Sequence, residues 1–314
     1  MTKSKKKCSS CNSKNLKVLY ENLYDKDYFI EGKFSILKCE NCGLEVINPL
    51  LNEKQLGKYY PAKDYYSYNK HSKLAILYHK ISSYYYSRKN FFVNIILWPF
   101  SSLLYHYRFE PGKNLLEIGC GNGLQLAFYK KYGLNTNGLE PYGLTLTNEE
   151  RKLGIERKSV INANFPKEKF DYIIMKEVLE HIPNSNEVLK KCYYWLKKGG
   201  RLIIVIPNEE SLWQKIFKKN WYGYDVPRHV YVYNPKSIKI LLEKRGFKIN
   251  NIRKYDLPYM IDGSLKFYLV DKSEGKDKKQ NIIFSSLSKI LFAPISLIVT
   301  YLNLGAIFEV EAKK

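Results

Sequence analysis

The sequence predicts an α/β protein in which a parallel sheet is covered by helices on both faces and preceded by a small metal-stapled ribbon. Three observations carry this expectation. From Leu115 onward, apolar strand-like runs alternate with amphipathic helical stretches, a pattern that places ligand at the strand C-termini. The run Leu115–Ile118 feeds a loop of alternating glycines, Gly119-x-Gly121-x-Gly123. Ahead of them lie two C-x-x-C pairs, Cys8 with Cys11 and Cys39 with Cys42.

The elements follow in chain order. Residues 1–50 are expected to form a zinc ribbon. A two-residue spacer turns both sulfurs of a pair to one side, and two pairs complete a tetrahedral shell around Zn²⁺. With four sulfurs the metal has no open position, so its role is structural. Cys120 and Cys192 stand alone, which argues against a disulfide framework. Residues 51–108 read as a tyrosine-rich linker followed by a helical lid. Phe91–Tyr107 of that segment carries no Lys, Arg, Asp or Glu, while Lys80, Arg88, Lys89 and Arg108 flank it. Such a helix either packs across the main domain or lies on a membrane surface.

Residues 109–314 carry the main domain. Leu115–Ile118 is a strand, Leu124–Tyr132 a helix with Gly133 at its C-cap, and Leu134–Glu140 a second strand. Asp171–Met175 is a buried strand, followed by a short helix that Pro183 stops. An amphipathic helix from Glu187 ends in Gly199 and Gly200, before the apolar strand Arg201–Asn208. Asn234 and Pro235 open a helix that runs to Gly246. The last two strands are expected at Ile252–Asp256 and Ala306–Lys314, with an apolar helical insert at about 282–304 between them. Ile290 to Phe308 is free of charge, but Pro294, Asn303 and Gly305 interrupt it. The insert therefore reads as a helix lying on its own core, a dimer mate or a bilayer.

The glycine loop limits its ligand. A dinucleotide fingerprint would need its third glycine at position 124, which is Leu124. Glu117 would repel a pyrophosphate but attract an ammonium or sulfonium. The loop thus suits a nucleoside that carries positive charge and no phosphate.

On "LLEIGCGNG", Glu140, "FDYIIMKEVLEHIPN" and "LKKGGRLIIVIPN", the chain resembles the class I S-adenosylmethionine-dependent methyltransferases. The resemblance covers about Glu110 to Lys314, and its ubiquinone-type O-methyltransferase branch is nearest. The ribbon with its Tyr-Tyr linker is also similar to methyltransferases acting on sugars and cell-surface glycans. It implies a Rossmann-like seven-stranded sheet with S-adenosyl-L-methionine as cofactor. Glu117, Gly119, Cys120, Gly121 and Gly123 would line the loop, and Glu140 would grip the ribose hydroxyls. Pro141 would flank the adenine, Asn162 would stand where relatives place an Asp, and Met175 and Glu177 would complete the contacts. The E-x-x-E-H set implies Glu177, Glu180 and His181 as ligands of Mg²⁺, sharing one helical face. At the acceptor, His229 is the expected base, Arg228 the grip on a phosphate or carboxylate, and Tyr222 and Tyr224 the aromatic wall. Asp225 stands where it could orient His229.

A net charge of +22 invites a polyanion, either RNA or an anionic membrane face. The polar N-terminus offers no signal peptide, which implies a cytoplasmic protein, peripheral on the inner face of the membrane if the apolar segments engage it. Methyl transfer to a small-molecule or lipid-linked acceptor, a glycan or a quinone-like molecule, is the leading expectation, with O-methylation first. An RNA methyltransferase whose ribbon grips RNA is the alternative, weakened by the absence of an "NPPY"-type motif and by the apolar insert. A non-catalytic cofactor-binding module is the third reading. Oligomeric state is left open.

Overall fold

The structure, a computed structural model, describes residues 7–61, 109–143, 145–273 and 287–314, together with Leu77, Ile81 and Phe92. The lid expected within 51–108 lies almost wholly outside the described residues, as does the charged loop ahead of the apolar insert. The chain forms two compact units. One takes Met1–Tyr60, Glu177–Asn186 and Val205–Val310; the other takes Pro61–Lys176, Glu187–Ile204 and Glu311–Lys314.

In the first unit, β1 (Leu16–Leu23), β2 (Phe34–Cys39) and β3 (Glu45–Asn48) form an antiparallel ribbon. It is buried on both faces, with Ile36 opposite Ile47 on one and Leu37 opposite Val46 on the other. The ribbon does not end there, because β9 (Tyr231–Val232) adds a fourth strand, with Glu45 opposite Val232 and Val46 opposite Tyr231. Gly43 turns the second knuckle at φ +76°, and a Cβ there would collide with Asn234 Nδ2. Only glycine fits that turn. The ribbon therefore shares its unit with much of the C-terminal half, rather than standing apart as residues 1–50.

The second sheet has seven strands in the order β10-β11-β8-β7-β4-β5-β6. They are β4 (Asn114–Ile118), β5 (Asn135–Leu139), β6 (Ile155–Glu156), β7 (Phe170–Lys176), β8 (Leu196–Pro207), β10 (Lys248–Tyr255) and β11 (Ile307–Lys313). Parallel pairing sets Glu117 opposite Gly138, Ile118 opposite Met175, and Gly138 opposite Ile155. Leu115, Leu116, Ile173, Ile174 and Met175 are fully buried, as near-continuous apolar strands covered on both faces should be.

Among the described residues, the helices with described bounds are α1 (Glu53–Leu56), α2 (Leu124–Lys131), α3 (Asn148–Lys152), α4 (Ser185–Trp195), α5 (Leu212–Phe217), α6 (Pro235–Glu243), α7 (Pro258–Lys272) and α8 (Leu287–Tyr301). Asn234 caps α6 in a capping box with Ser237, and Pro235 fills its first turn, as expected. The helix expected to reach Gly199 instead stops at Trp195, and β8 starts at once. The cause lies at the chain end. Gly199 N donates to Lys314 O at 3.2 Å and Lys314 N to Gly200 O at 3.1 Å, which recruits these residues into the sheet. Helix α7 is hidden in the sequence because Gly263 and Ser264 occupy its buried face. Among the described residues, no helix is long and apolar enough to cross a membrane.

Candidate functional site

The glycine loop follows β4 in the second unit. Gly119, Gly121 and Gly123 have φ of +72°, +55° and +79°, conformations that L side chains resist. Gly123 also begins α2, where a Cβ would stand 2.5 Å from Ile155 Cδ1. Two backbone bonds fix the loop to β5, from Gly119 N to Leu139 O at 2.7 Å and from Cys120 N to the same oxygen at 3.2 Å. Glu140 then clasps it from the end of β5. One carboxylate oxygen accepts Gly121 N at 2.9 Å and the other accepts Tyr142 N at 3.2 Å. A carboxylate has about four acceptor sites, so each oxygen keeps one for a ligand hydroxyl.

Glu117 lies 5% exposed at the end of β4, and its Oε2 has no hydrogen-bond partner. Burial pushes its pKa up to about 7; Lys176 opposes this rise and the charge of Glu140 adds to it. A buried carboxylate that Lys176 compensates only in part favours a further cationic partner. The residues present therefore fit a cofactor with ribose hydroxyls and a cationic end. Cys120 is buried beside Gly138, where a Cβ would meet its Sγ at 2.6 Å. Met175 is fully buried in β7, while Pro141 and Asn162 are exposed. Sequence reasoning misses Arg157. It donates to Gly121 O at 3.3 Å and pairs with Glu150 at 2.7 Å, bracing the loop from α3. Thr147-x-x-Glu150, a capping-box signature, is the signal that could have located α3.

A second cluster lies in the first unit. Glu177 follows β7 at φ +52°, so it is no part of a helix, and Leu179–His181 forms a short 3₁₀ turn. The shared helical face expected of Glu177, Glu180 and His181 is therefore absent. The donors that do converge are Glu180, His181 and His229, whose ligand atoms lie within 4.8 Å of one another. Glu180 is fully buried and neither of its oxygens has a partner. Burial raises the carboxyl of Glu177 to about 8 and holds that of Glu180 well above its ordinary value.

His229 hydrogen-bonds Gly223 O through Nδ1 at 2.8 Å. A carbonyl can only accept, so Nδ1 carries the proton and Nε2 keeps its lone pair. Burial lowers the pKa of this ring, which stays neutral at pH 7. Its neighbour His181 lies 4.6 Å away between ring centroids. His181 Nδ1 approaches the Tyr60 hydroxyl at 2.9 Å and Arg228 O at 3.0 Å. Asp225 does not orient His229 by a hydrogen bond, since its Oδ2 is 4.0 Å from Nε2.

Arg228 corrects the sequence reading. It is 1% exposed, donating from Nε and Nη2 to Asp225 at 2.9 and 2.5 Å and from Nη2 to Asp25 at 2.9 Å. Nη1 donates to Tyr59 O at 3.3 Å. Asp25 is wholly buried and requires a counter-charge. The guanidinium thus serves the ribbon-side carboxylates rather than gripping an acceptor. Tyr224 is corrected likewise: it is buried, with its hydroxyl donating to Glu45 at 2.9 Å and accepting from Gln214 at 3.0 Å. Tyr222 stays partly exposed, its ring packed over Gly263 and against Phe267.

At the ribbon, Cys8 Sγ lies 3.5 Å from Cys42 Sγ, and Cys11 Sγ lies 3.6 Å from Cys39 Sγ. All four sulfurs lie within 4.8 Å of one another, and none is in a disulfide. A tetrahedral Zn²⁺ with Zn–S of about 2.3 Å sets its sulfurs roughly 3.8 Å apart, so the four thiolates fit such an ion.

Residues 101–251 match the family described as "Methyltransferase domain". The chain is 29% identical to phosphoethanolamine N-methyltransferase of Plasmodium falciparum (isolate 3D7) over 121 residues, 35% of this chain and 46% of the relative. It is 26% identical to the mitochondrial ubiquinone biosynthesis O-methyltransferase of Rattus norvegicus over 173 residues, 46% of this chain and 48% of the relative. The chain thus spans less than half the length of these curated relatives. Among solved structures it is similar to phosphoethanolamine N-methyltransferase 2 of Haemonchus contortus, at 19% identity and a TM-score of 0.44, over 76% of this chain and 57% of that one. The matched domain, the seven-stranded sheet and the carboxylate-clasped glycine loop identify residues 101–251 as a methyltransferase domain and support a class I S-adenosylmethionine-dependent methyltransferase.

Proposed function

We propose that this protein transfers a methyl group from S-adenosyl-L-methionine to a small-molecule or lipid-linked acceptor, with a hydroxyl as the leading target. The observation that carries the reading is the clasp of Glu140 on Gly121, with lone pairs left for a ribose. Bound cofactor would supply an electrophilic methyl on a sulfonium. Glu140 would hold the ribose hydroxyls, and Glu117 would pair with the methionine ammonium. His229 would take the acceptor proton on Nε2, held in place by its bond to Gly223 O. Zn²⁺ on Cys8, Cys11, Cys39 and Cys42 would staple the ribbon. The proposed site of action is the cytoplasm, at the membrane face when the acceptor is lipid-linked.

Methylation of an amine is a second reading, favoured by Glu180. A buried carboxylate with no partner suits a cationic acceptor or a divalent ion held with His181 and His229. His229→Ala tests the hydroxyl reading. For a hydroxyl acceptor, turnover should fall roughly 10²–10⁴-fold while cofactor affinity holds. Unchanged turnover with labelled cofactor on hydroxyl acceptors would remove His229 as the base.

A further inference from the structure

Helix α8 has two unlike sides. Its inner side buries Ser296 and Val299 at 0% and 3% exposure, and Thr300 Oγ1 accepts Asp256 N at 2.8 Å. On the other side Leu291, Ile295 and Ile298 are 64%, 42% and 58% exposed, with Pro294 exposed among them, and Leu302, in the turn just past the helix end, is 61% exposed. The spacing i, i+4, i+7, i+11 puts these four side chains in one row, about 16 Å long at 1.5 Å per residue. No charged residue falls between Ile290 and Phe308, so the row is wholly apolar.

The surroundings are basic. α7 packs against α8 and exposes Tyr268 beside its C-terminal Lys272. α5 packs against α7 and exposes Ile216 between Lys215 and the exposed Lys218 and Lys219. Two of the nearby acids are paired, Asp271 with Lys219 at 2.8 Å and Glu210 with Lys254 at 3.0 Å, which leaves Asp262 of α7 against the lysines at 215, 218 and 272. Apolar side chains beside lysines, on a chain of net charge +22, match an anionic bilayer surface in both polarity and sign.

A second copy is the rival occupant, and area argues against it. A stable homodimer buries about 800 Å² per partner. Four partly exposed aliphatic side chains offer roughly 400 Å², at on the order of 100 Å² each. RNA would match the lysines but gain nothing from the apolar row.

We propose that the exposed face of α8 lies in the interface of an anionic membrane, with the lysines of α5 and α7 on the headgroups. The idea extends the lipid-linked acceptor reading, but its test does not depend on methyl transfer. The wild-type chain is sedimented with phosphatidylglycerol/phosphatidylcholine vesicles and with phosphatidylcholine vesicles at low and high salt. Leu291→Glu/Ile298→Glu should bind anionic vesicles at least tenfold more weakly, with unchanged cofactor affinity and circular dichroism. Leu291→Ser/Ile298→Ser serves if the glutamates disturb folding. Lys215→Gln/Lys218→Gln should weaken binding by about fivefold per lysine and flatten its salt dependence. Glu140→Ala, which removes the cofactor grip, should leave vesicle binding intact. Absent binding at low salt, or equal binding by wild type and both apolar variants, overturns the proposal. So does a dimer that the Leu291/Ile298 variants dissociate while vesicles stay unbound.

Discussion

Replacing Arg228 by Met should destabilise the first unit strongly. The guanidinium is 1% exposed and is shared by Asp225 and the wholly buried Asp25. Removing it leaves two carboxylates without their counter-charge at once. Breaking one buried pair costs about 3–5 kcal/mol, and a loss at the upper end of that range is expected here. The assay is urea denaturation of wild type, Arg228→Met, Asp25→Asn and the double variant. The double variant should cost less than the sum, because a neutral amide in place of the Asp25 carboxylate needs no counter-charge. Acid provides a second handle. Burial alone would raise Asp225, but the charge and hydrogen bonds of Arg228 bring it down to about 2. A carboxyl lowered from its ordinary value of about 3.9 contributes stability above that value and loses it as pH falls toward 2, on the order of 2 kcal/mol. Arg228→Met should abolish this acid-dependent loss. A cost below about 1 kcal/mol for Arg228→Met would refute the buried network and return the guanidinium to solvent and acceptor.

Two further predictions concern the metal and the cofactor's charged end. The purified protein should hold one zinc per chain and Cys39→Ser should hold much less; equal metal in both by elemental analysis would contradict the four-thiolate site. Cofactor affinity should be highest between about pH 7 and 8. Below about 7 Glu117 takes up a proton and loses its attraction for the ammonium; above about 8 the ligand's α-amino group gives up its own. Glu117→Gln should bind roughly tenfold more weakly and lose the acid limb of that profile. A wild-type affinity that does not change from pH 6 to 7.5 would exclude Glu117 from the contact.

The parts of the fold legible in sequence were those written in local pattern. Buried strands such as Phe170–Lys176 read as apolar runs, and glycines at 119, 121 and 123 announced backbone that only glycine adopts easily. The Asn234–Pro235 start of α6 carried its own cap. What escaped was long-range. Nothing near Arg228 in the chain signals Asp25, which lies 203 positions away, so a buried counter-ion read as a ligand grip. Tyr224 and Glu45 are 179 positions apart and misled in the same way. The Glu177-x-x-Glu180-His181 spacing suggested a helical face, but the positive φ of Glu177 turns that residue out of it. His229 then takes its place beside Glu180 and His181, a distant partner in the chain that spacing could not name.

The central claim is that the glycine loop and Glu140 hold S-adenosyl-L-methionine, and titration calorimetry of wild type and Glu140→Ala tests it most directly. Glu140 is 7% exposed and already bonded to Gly121 and Tyr142, so its position is fixed before ligand arrives. Two charge-assisted hydrogen bonds to ribose hydroxyls are worth about 1.5–3 kcal/mol each, and losing both should weaken binding by roughly 10²-fold or more. S-adenosylhomocysteine should show the same loss, because it shares the ribose. Wild type should bind both nucleosides with a stoichiometry of one, and Glu140→Ala should bind neither measurably while keeping its fold by circular dichroism. Equal affinity in the two proteins, or no binding by wild type, would contradict the account.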